Sequence, residues 1–113
     1  MDSQLGLNDE RVRLLARFKQ MLPDLMVPET AVWDEVYKDG ALSIKTKRLM
    51  ALGIALRAGC ANCILGQTMR ALEAGASKEE ILETISVVVV MSGTTGMAES
   101  LRVIKLLDEM GKL

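Results

Sequence analysis

Apolar residues recur every three to four positions along most of this chain, the spacing of a helical face rather than of a strand. Val12, Leu15, Phe18 and Leu22 keep that rhythm until Pro23, and Asn8, followed by Asp9 and Glu10, is expected to cap the helix they form. A second, shorter helix is expected over Pro28 to Lys38. Glu29 lies early in it, Asp39-Gly40 stops it, and Trp33 and Tyr37, four apart, share one face. Ser43 can cap a third helix, IKTKRLMALGIALRAG, which turns from basic to apolar nearly all round, as a buried central helix does, and ends at Gly59.

Cys60 and Cys63 open a fourth helix that runs through Ile64 to Ala74 and leaves at Ala74-Gly75-Ala76. Ser77-Lys78-Glu79-Glu80 is a capping-box pattern, with Ile81, Ile85, Val88 and Val89 following on one face. The four consecutive valines would suit a strand, but the cap, the spacing and the want of a partner strand favour helix. Ser92-Gly93-Thr94-Thr95-Gly96 interrupts the pattern, and Met97, Leu101, Ile104 and Leu107 line a last helix ending near Gly111. The expectation is an all-α fold of about six helices in one domain spanning residues 1–113, with no internal repeat.

Composition sharpens this. Half of the residues are hydrophobic but only three are aromatic, so Leu, Val, Ile, Ala and eight Met make up the apolar mass, more than a compact monomer of this length comfortably hides. Self-association is the natural outlet. With 14 basic and 15 acidic residues the net charge is −1, which supplies no broad field for nucleic acid or an anionic membrane. MDSQLGLNDER does not read as a signal peptide, and the apolar run Ile85 to Met91 is far shorter than the ~20 residues that cross a bilayer. A cytoplasmic location is therefore expected, where reducing conditions make a lone CxxC more a catalytic or metal-binding motif than a structural staple.

That motif, Cys60-Ala61-Asn62-Cys63, holds the only two cysteines. Three readings compete: a redox pair, two small residues packed in a core, or a metal site. A disulfide across so short a loop contributes little entropic stabilisation, which argues against stapling. A helix N-terminus favours the thiolate, the reactive form. Zinc wants four ligands, and a chain with no histidine offers two thiolates and scattered carboxylates, so no metal is expected. The same lack rules out Ser-His and Cys-His nucleophile systems, and no Gly-rich loop cradles phosphate, so no cofactor is expected either. The methionines, among them Met50, Met69, Met91 and Met97, read as adaptable core and interface filling.

The stretch KTKRLMALGIALRAGCANCILGQTMRALEAGASKEEILE, Lys45 to Glu83, resembles the core of the carboxymuconolactone decarboxylase and alkylhydroperoxidase D-like superfamily, with RAGCANC, ALEAGAS and KEEILE matching in order and spacing. The resemblance is specific over residues 42 to 90. It implies an all-α homo-oligomer, a trimer or a hexamer, with the CxxC near an intersubunit pocket. In redox members of that superfamily the two cysteines cycle between dithiol and disulfide, the second attacking and the first resolving. A glutamate twelve residues before the first cysteine and a histidine four after the second assist them. Cys60 and Cys63 carry over directly, whereas the glutamate position is Arg48 and the histidine position is Gln67.

Carboxylate and imidazole exchange protons near neutrality; guanidinium stays protonated and an amide does not titrate. Arg48 could still favour a thiolate by charge, since unit charges ~5 Å apart interact by about 3 kcal/mol at an effective dielectric near 20. Alternatively it belongs with Lys45 and Lys47 to a solvated face, and Gln67 to a hydrogen-bonding surface. Two functions follow from the sequence. One is a thiol-disulfide oxidoreductase or peroxidase-like protein that uses Cys60 and Cys63 with an external thiol reductant. The other is a non-catalytic or decarboxylase-like protein that binds a small organic ligand.

Overall fold

The computed structural model describes residues 1–113 as five α-helices without a strand: α1 (Gln4–Met21), α2 (Pro23–Val36), α3 (Ile44–Ala58), α4 (Ala61–Glu73) and α5 (Lys78–Glu109). Helix α1 starts earlier than its charge pattern implies. Ser3 is the N-cap, its Oγ accepting the Gly6 N–H at 3.0 Å. Asn8 instead lies one turn inside, only 4% exposed, with Oδ1 accepting from Arg11 Nε at 3.0 Å. Helix α2 likewise begins at Pro23 rather than Pro28, because proline at the first helical position loses no hydrogen bond; Pro28 is carried within the helix.

The remaining boundaries follow local chemistry. Ser43 Oγ accepts from the Thr46 N–H, and Gly59 ends α3 in the left-handed region at φ 72°, where only glycine is free of a Cβ penalty. Ser77 and Glu80 form the capping box: Ser77 Oγ accepts the Glu80 N–H at 3.1 Å and Glu80 accepts the Ser77 N–H at 3.0 Å. The two C-terminal helices of the sequence reading are one element, α5, bent at Gly93 (φ 61°, ψ −141°), so five helices stand where about six were expected.

Helix α3 is central. Leu52 and Leu56 from it meet Ile64 and Ala71 of α4 and Ile81, Val103 and Leu107 of α5, all wholly inaccessible to solvent. Each large aliphatic among them contributes roughly 1.5–3 kcal/mol by leaving water. Helix α1 lies across α4 and α5, while the backbone of α2 approaches only α1. A carboxylate joins the two ends of the chain: Glu109 of α5 accepts from the Ser3 hydroxyl at 2.5 Å and from the Gln4 and Leu5 N–H groups at 2.7 and 3.4 Å. The positive end of α1 is thus neutralised by α5.

The bend in α5 has a packing partner. A Cβ on Gly96 would meet Val88 Cγ1 at 2.9 Å and the Val88 carbonyl oxygen at 3.0 Å, so the two limbs close on each other only over glycine. By length and composition alone α5 could cross a membrane, with an 18-residue stretch of mean hydropathy 1.5. The bend, flanked by Ser92, Thr94 and Thr95, falls in its middle, and both limbs contribute to the core. Between α3 and α5 runs an apolar groove of about 700 Å³ walled by Met50, Ile54, Val87 and Met91.

Gly96→Ala is expected to cost about 1–3 kcal/mol and to lower Tm by several degrees in calorimetry. The Ser3 hydroxyl, then the Gln4 and Leu5 amides, hold the Glu109 carboxyl below its ordinary value. Its contribution is therefore present above the usual carboxylate range and lost as pH falls through the lowered folded value. Glu109→Gln should lower stability most near pH 6–7 in urea titrations, and the gap to the parent should narrow as pH falls below the ordinary carboxylate range and close only below the lowered folded value.

Candidate functional site

The left-handed turn at Gly59 reverses the chain so that Cys60 becomes the N-cap of α4. Its Sγ accepts the Cys63 N–H at 3.3 Å, the role a serine or aspartate oxygen takes elsewhere. Cys60 and Cys63 are joined by a disulfide, with 5.2 Å between their Cα atoms. Cys60 is half-buried and Cys63 exposed.

From Cys63, helical spacing puts Gly66, Gln67 and Arg70 on the same face of α4, while Ile64, Leu65, Thr68 and Ala71 enter the interior. That first face forms one wall of a cavity of about 720 Å³, a volume typical of small-ligand pockets. Opposite it stand Leu7, Arg11, Leu14 and Phe18 of α1 with Trp33 and Tyr37 at the end of α2, and Arg48 of α3 closes one side.

Arg48 does not point to a solvated face with Lys45. Its guanidinium lies over the Tyr37 ring, 3.4 Å from the centroid, and donates to Gln67 Oε1 at 3.1 Å. The two positions where the superfamily pattern has glutamate and histidine are thus in direct contact, one turn of α4 from Cys63. Lys47 turns the other way and donates to the carbonyls of Val36 and Lys38 at 2.8 and 2.7 Å, which fixes the end of α2 and with it Tyr37. A cation on those terminal carbonyls also suits the negative end of the helix.

Arg11, Asn62 and Arg70 reach the cavity as well, and none was singled out from the sequence. Arg70 was visible as the fourth member of the Cys63-Gly66-Gln67-Arg70 stripe; Arg11 depends on how α1 docks, which no local pattern reports. Burial lowers the pKa of both Arg11 and Arg48, and repulsion from Arg70 adds to it in each case. Guanidinium nonetheless stays protonated, so the cavity carries three cations near an exposed Glu73 and Glu10. Glu73 pairs with Arg70 at 3.1 Å. Gln67, which does not titrate, holds Arg48 and moves no proton.

The arrangement unites a redox-capable sulfur pair, a helix N-terminus, a fixed cation and a ligand-sized cavity. Residues 25–106 match the sequence profile of the Carboxymuconolactone decarboxylase family. A Paracoccus denitrificans protein of the cox locus, itself uncharacterised, is 36% identical over 75 residues, 66% of this chain and 68% of its own. An uncharacterised Cupriavidus necator protein is 31% identical over 77 residues, 68% of each chain. Among solved structures, an apo carboxymuconolactone decarboxylase family protein from Legionella pneumophila superposes with a TM-score of 0.88 at 28% identity, covering 99% of this chain and 100% of that one. A Thermotoga maritima family member, for which a role in antioxidative response has been suggested, superposes with a TM-score of 0.73 at 26% identity, covering 92% and 97%. By sequence profile and by fold alike, this chain belongs to the carboxymuconolactone decarboxylase family.

Proposed function

We propose that this protein is a thiol-disulfide oxidoreductase with peroxidase-like activity, in which Cys63 attacks and Cys60 resolves. The observation that carries this reading is the Cys60–Cys63 disulfide at the mouth of a ligand-sized cavity, with the exposed Cys63 facing the cavity and Cys60 set behind it. In the dithiol form, the Cys63 thiolate takes the terminal oxygen of a hydroperoxide as the O–O bond breaks, giving a sulfenic acid and an alkoxide that water protonates. The Cys60 thiolate then attacks the sulfenic sulfur, forming the S–S bond as the S–O bond breaks, and the departing hydroxide takes a proton from solvent to leave as water. The Cys63 N–H that Cys60 Sγ accepts as N-cap favours the Cys60 thiolate for this second step. An external dithiol restores the pair by exchange, leaving as a disulfide. Protons come from water, since neither Arg48 nor Gln67 can relay them.

The cavity itself supports the second reading, a ligand-binding protein without turnover, because its volume and mixed lining suit a small organic molecule whatever the sulfurs do. Homo-oligomerisation accompanies either reading. Val90 and Met91 are 85% and 77% exposed and stand with Ile54 and Val87 beside the α3–α5 groove, an apolar surface that a further copy would cover.

Cys60→Ser and Cys63→Ser, singly and together, should reduce peroxide-dependent dithiol oxidation at least tenfold. Reduced protein treated briefly with iodoacetamide should carry the label first on Cys63 by peptide mass spectrometry. Unchanged turnover in the double variant would leave the binding reading. Light scattering should give three or six times the 12.3 kDa chain mass, and Val90→Glu with Met91→Glu should shift it to smaller species; a parent that is monomeric at micromolar concentration would contradict the assembly.

A further inference from the structure

The cavity beside Cys63 is cationic at one end and apolar along its walls, and neither property is needed to hold the disulfide. Arg11 comes from α1, Arg48 from α3 and Arg70 from α4, so three separate helices bring guanidinium groups to one space. Two of the three are fixed. Arg48 is pinned by Tyr37 and Gln67 as described, and Arg11 is held through Nε by the buried Oδ1 of Asn8. Gly66 makes room for Arg11: a Cβ there would stand 3.2 Å from its Cζ and Nη1, so the guanidinium packs close against α4 at this position. Like charges gathered in a partly desolvated space repel one another, and burial already disfavours the cationic form of Arg11 and Arg48. Glu73 compensates Arg70 at the exposed rim and Glu10 also lines the cavity, but Arg11 and Arg48 have no carboxylate ion-pair partner of their own, so an entering anion gains most beside these two, and guanidinium is the side chain best matched to a carboxylate.

The remaining walls choose what the anion is attached to. Leu14 and Phe18 of α1 are about half exposed, at 46% and 44%, because the cavity lies between them and α4, and Trp33 continues the apolar side. A hydrated inorganic anion would leave that surface wet; an acyl chain or a ring would cover it.

We infer that the cavity takes an amphipathic carboxylate, its charged end among Arg11, Arg48 and Arg70, its apolar body against Leu14, Phe18 and Trp33. This inference rests on the redox reading for its consequence: the substrate is an organic acid that carries its peroxide roughly 5–10 Å along the α4 axis from the carboxylate. That is the rise from Cys63 to Gly66, where Arg11 lies, and on to Arg70. In this reading the arginine at position 48 exchanges a proton-relay position for a substrate-binding one.

Trp33 is the only tryptophan and lines the cavity, so its fluorescence reports occupancy without any turnover. Sodium octanoate should bind saturably. 1-Octanol and octyltrimethylammonium should bind about tenfold more weakly or worse, and raising salt to 0.5 M should weaken octanoate alone. Arg11→Gln and Arg48→Gln should each cost octanoate about tenfold while leaving octanol affinity unchanged, and Arg13→Gln, whose side chain faces solvent beside Glu10, should change neither. Retained octanol binding certifies that a variant is folded. Equal affinity for octanoate and octanol, or octanoate binding indifferent to both arginine substitutions, overturns the inference. The redox reading is scored separately by turnover of a carboxylated against a neutral alkyl hydroperoxide. Octanoate selectivity with no turnover of either removes the oxidoreductase and keeps the anion site. Turnover of both at equal kcat/KM, with no octanoate preference, does the reverse.

Discussion

The burial of Leu52 and Leu56 of α3 between α4 and α5 is the interaction on which the site depends. These two side chains face Ile64 and Ala71 on the inner side of α4, so the outer side, with Cys63, Gly66, Gln67 and Arg70, has its direction set by the core. The left-handed turn at Gly59 then decides how closely the second helix follows the first. Cys60 inherits the N-cap position from that turn, and its sulfur meets an amide that would otherwise want an oxygen. Chemistry at the helix start is thus a by-product of packing two helix turns away.

Around this pair the other elements add polar ties at their ends. Helix α1 is tied to α5 through Glu109 at its first turn, and α2, which packs on α1 with Met26 buried, is also tied by Lys47 at its last. Both attachments are polar and lie at helix ends, where unpaired amides and carbonyls need partners. The wall of the cavity that bears Phe18 and Trp33 lies outside the α3–α4–α5 core, while Tyr37 is held to that core through Lys47 and Arg48.

How far the sequence showed this depended on whether the signal was local. Ser43, Ser77 with Glu80, and Gly59 act within one helical turn of themselves, and each stands where its pattern placed it. Asn8 failed as a cap because Ser3, five residues earlier, had a better partner in the distant Glu109, and the freed Asn8 turned inward to Arg11. Pro28 failed as a start because Pro23 satisfied the same rule sooner. The break over Ser92 to Gly96 was legible, but not that the helix resumes beyond it as one bent rod, since this rests on Val88 meeting Gly96 across the bend. For the cavity, the cysteines and the departures at Arg48 and Gln67 could be read by family alignment. Their mutual hydrogen bond, and the arrival of Arg11, are tertiary facts that no spacing encodes.

The pinning of Arg48 against Tyr37 and Gln67 also bears on the energy of the electrons in the disulfide. A cation that cannot swing away acts on both oxidation states, but only the reduced one carries thiolate charge for it to stabilise. Together with the amide at the start of α4, such a cation would lower the free energy of a Cys60–Cys63 dithiol relative to the neutral disulfide. The couple would thereby shift towards a more positive reduction potential, the direction that makes a disulfide an oxidant of other thiols. In the proposed oxidoreductase, a residue that cannot carry a proton would in this way still set which partners the pair is able to oxidise.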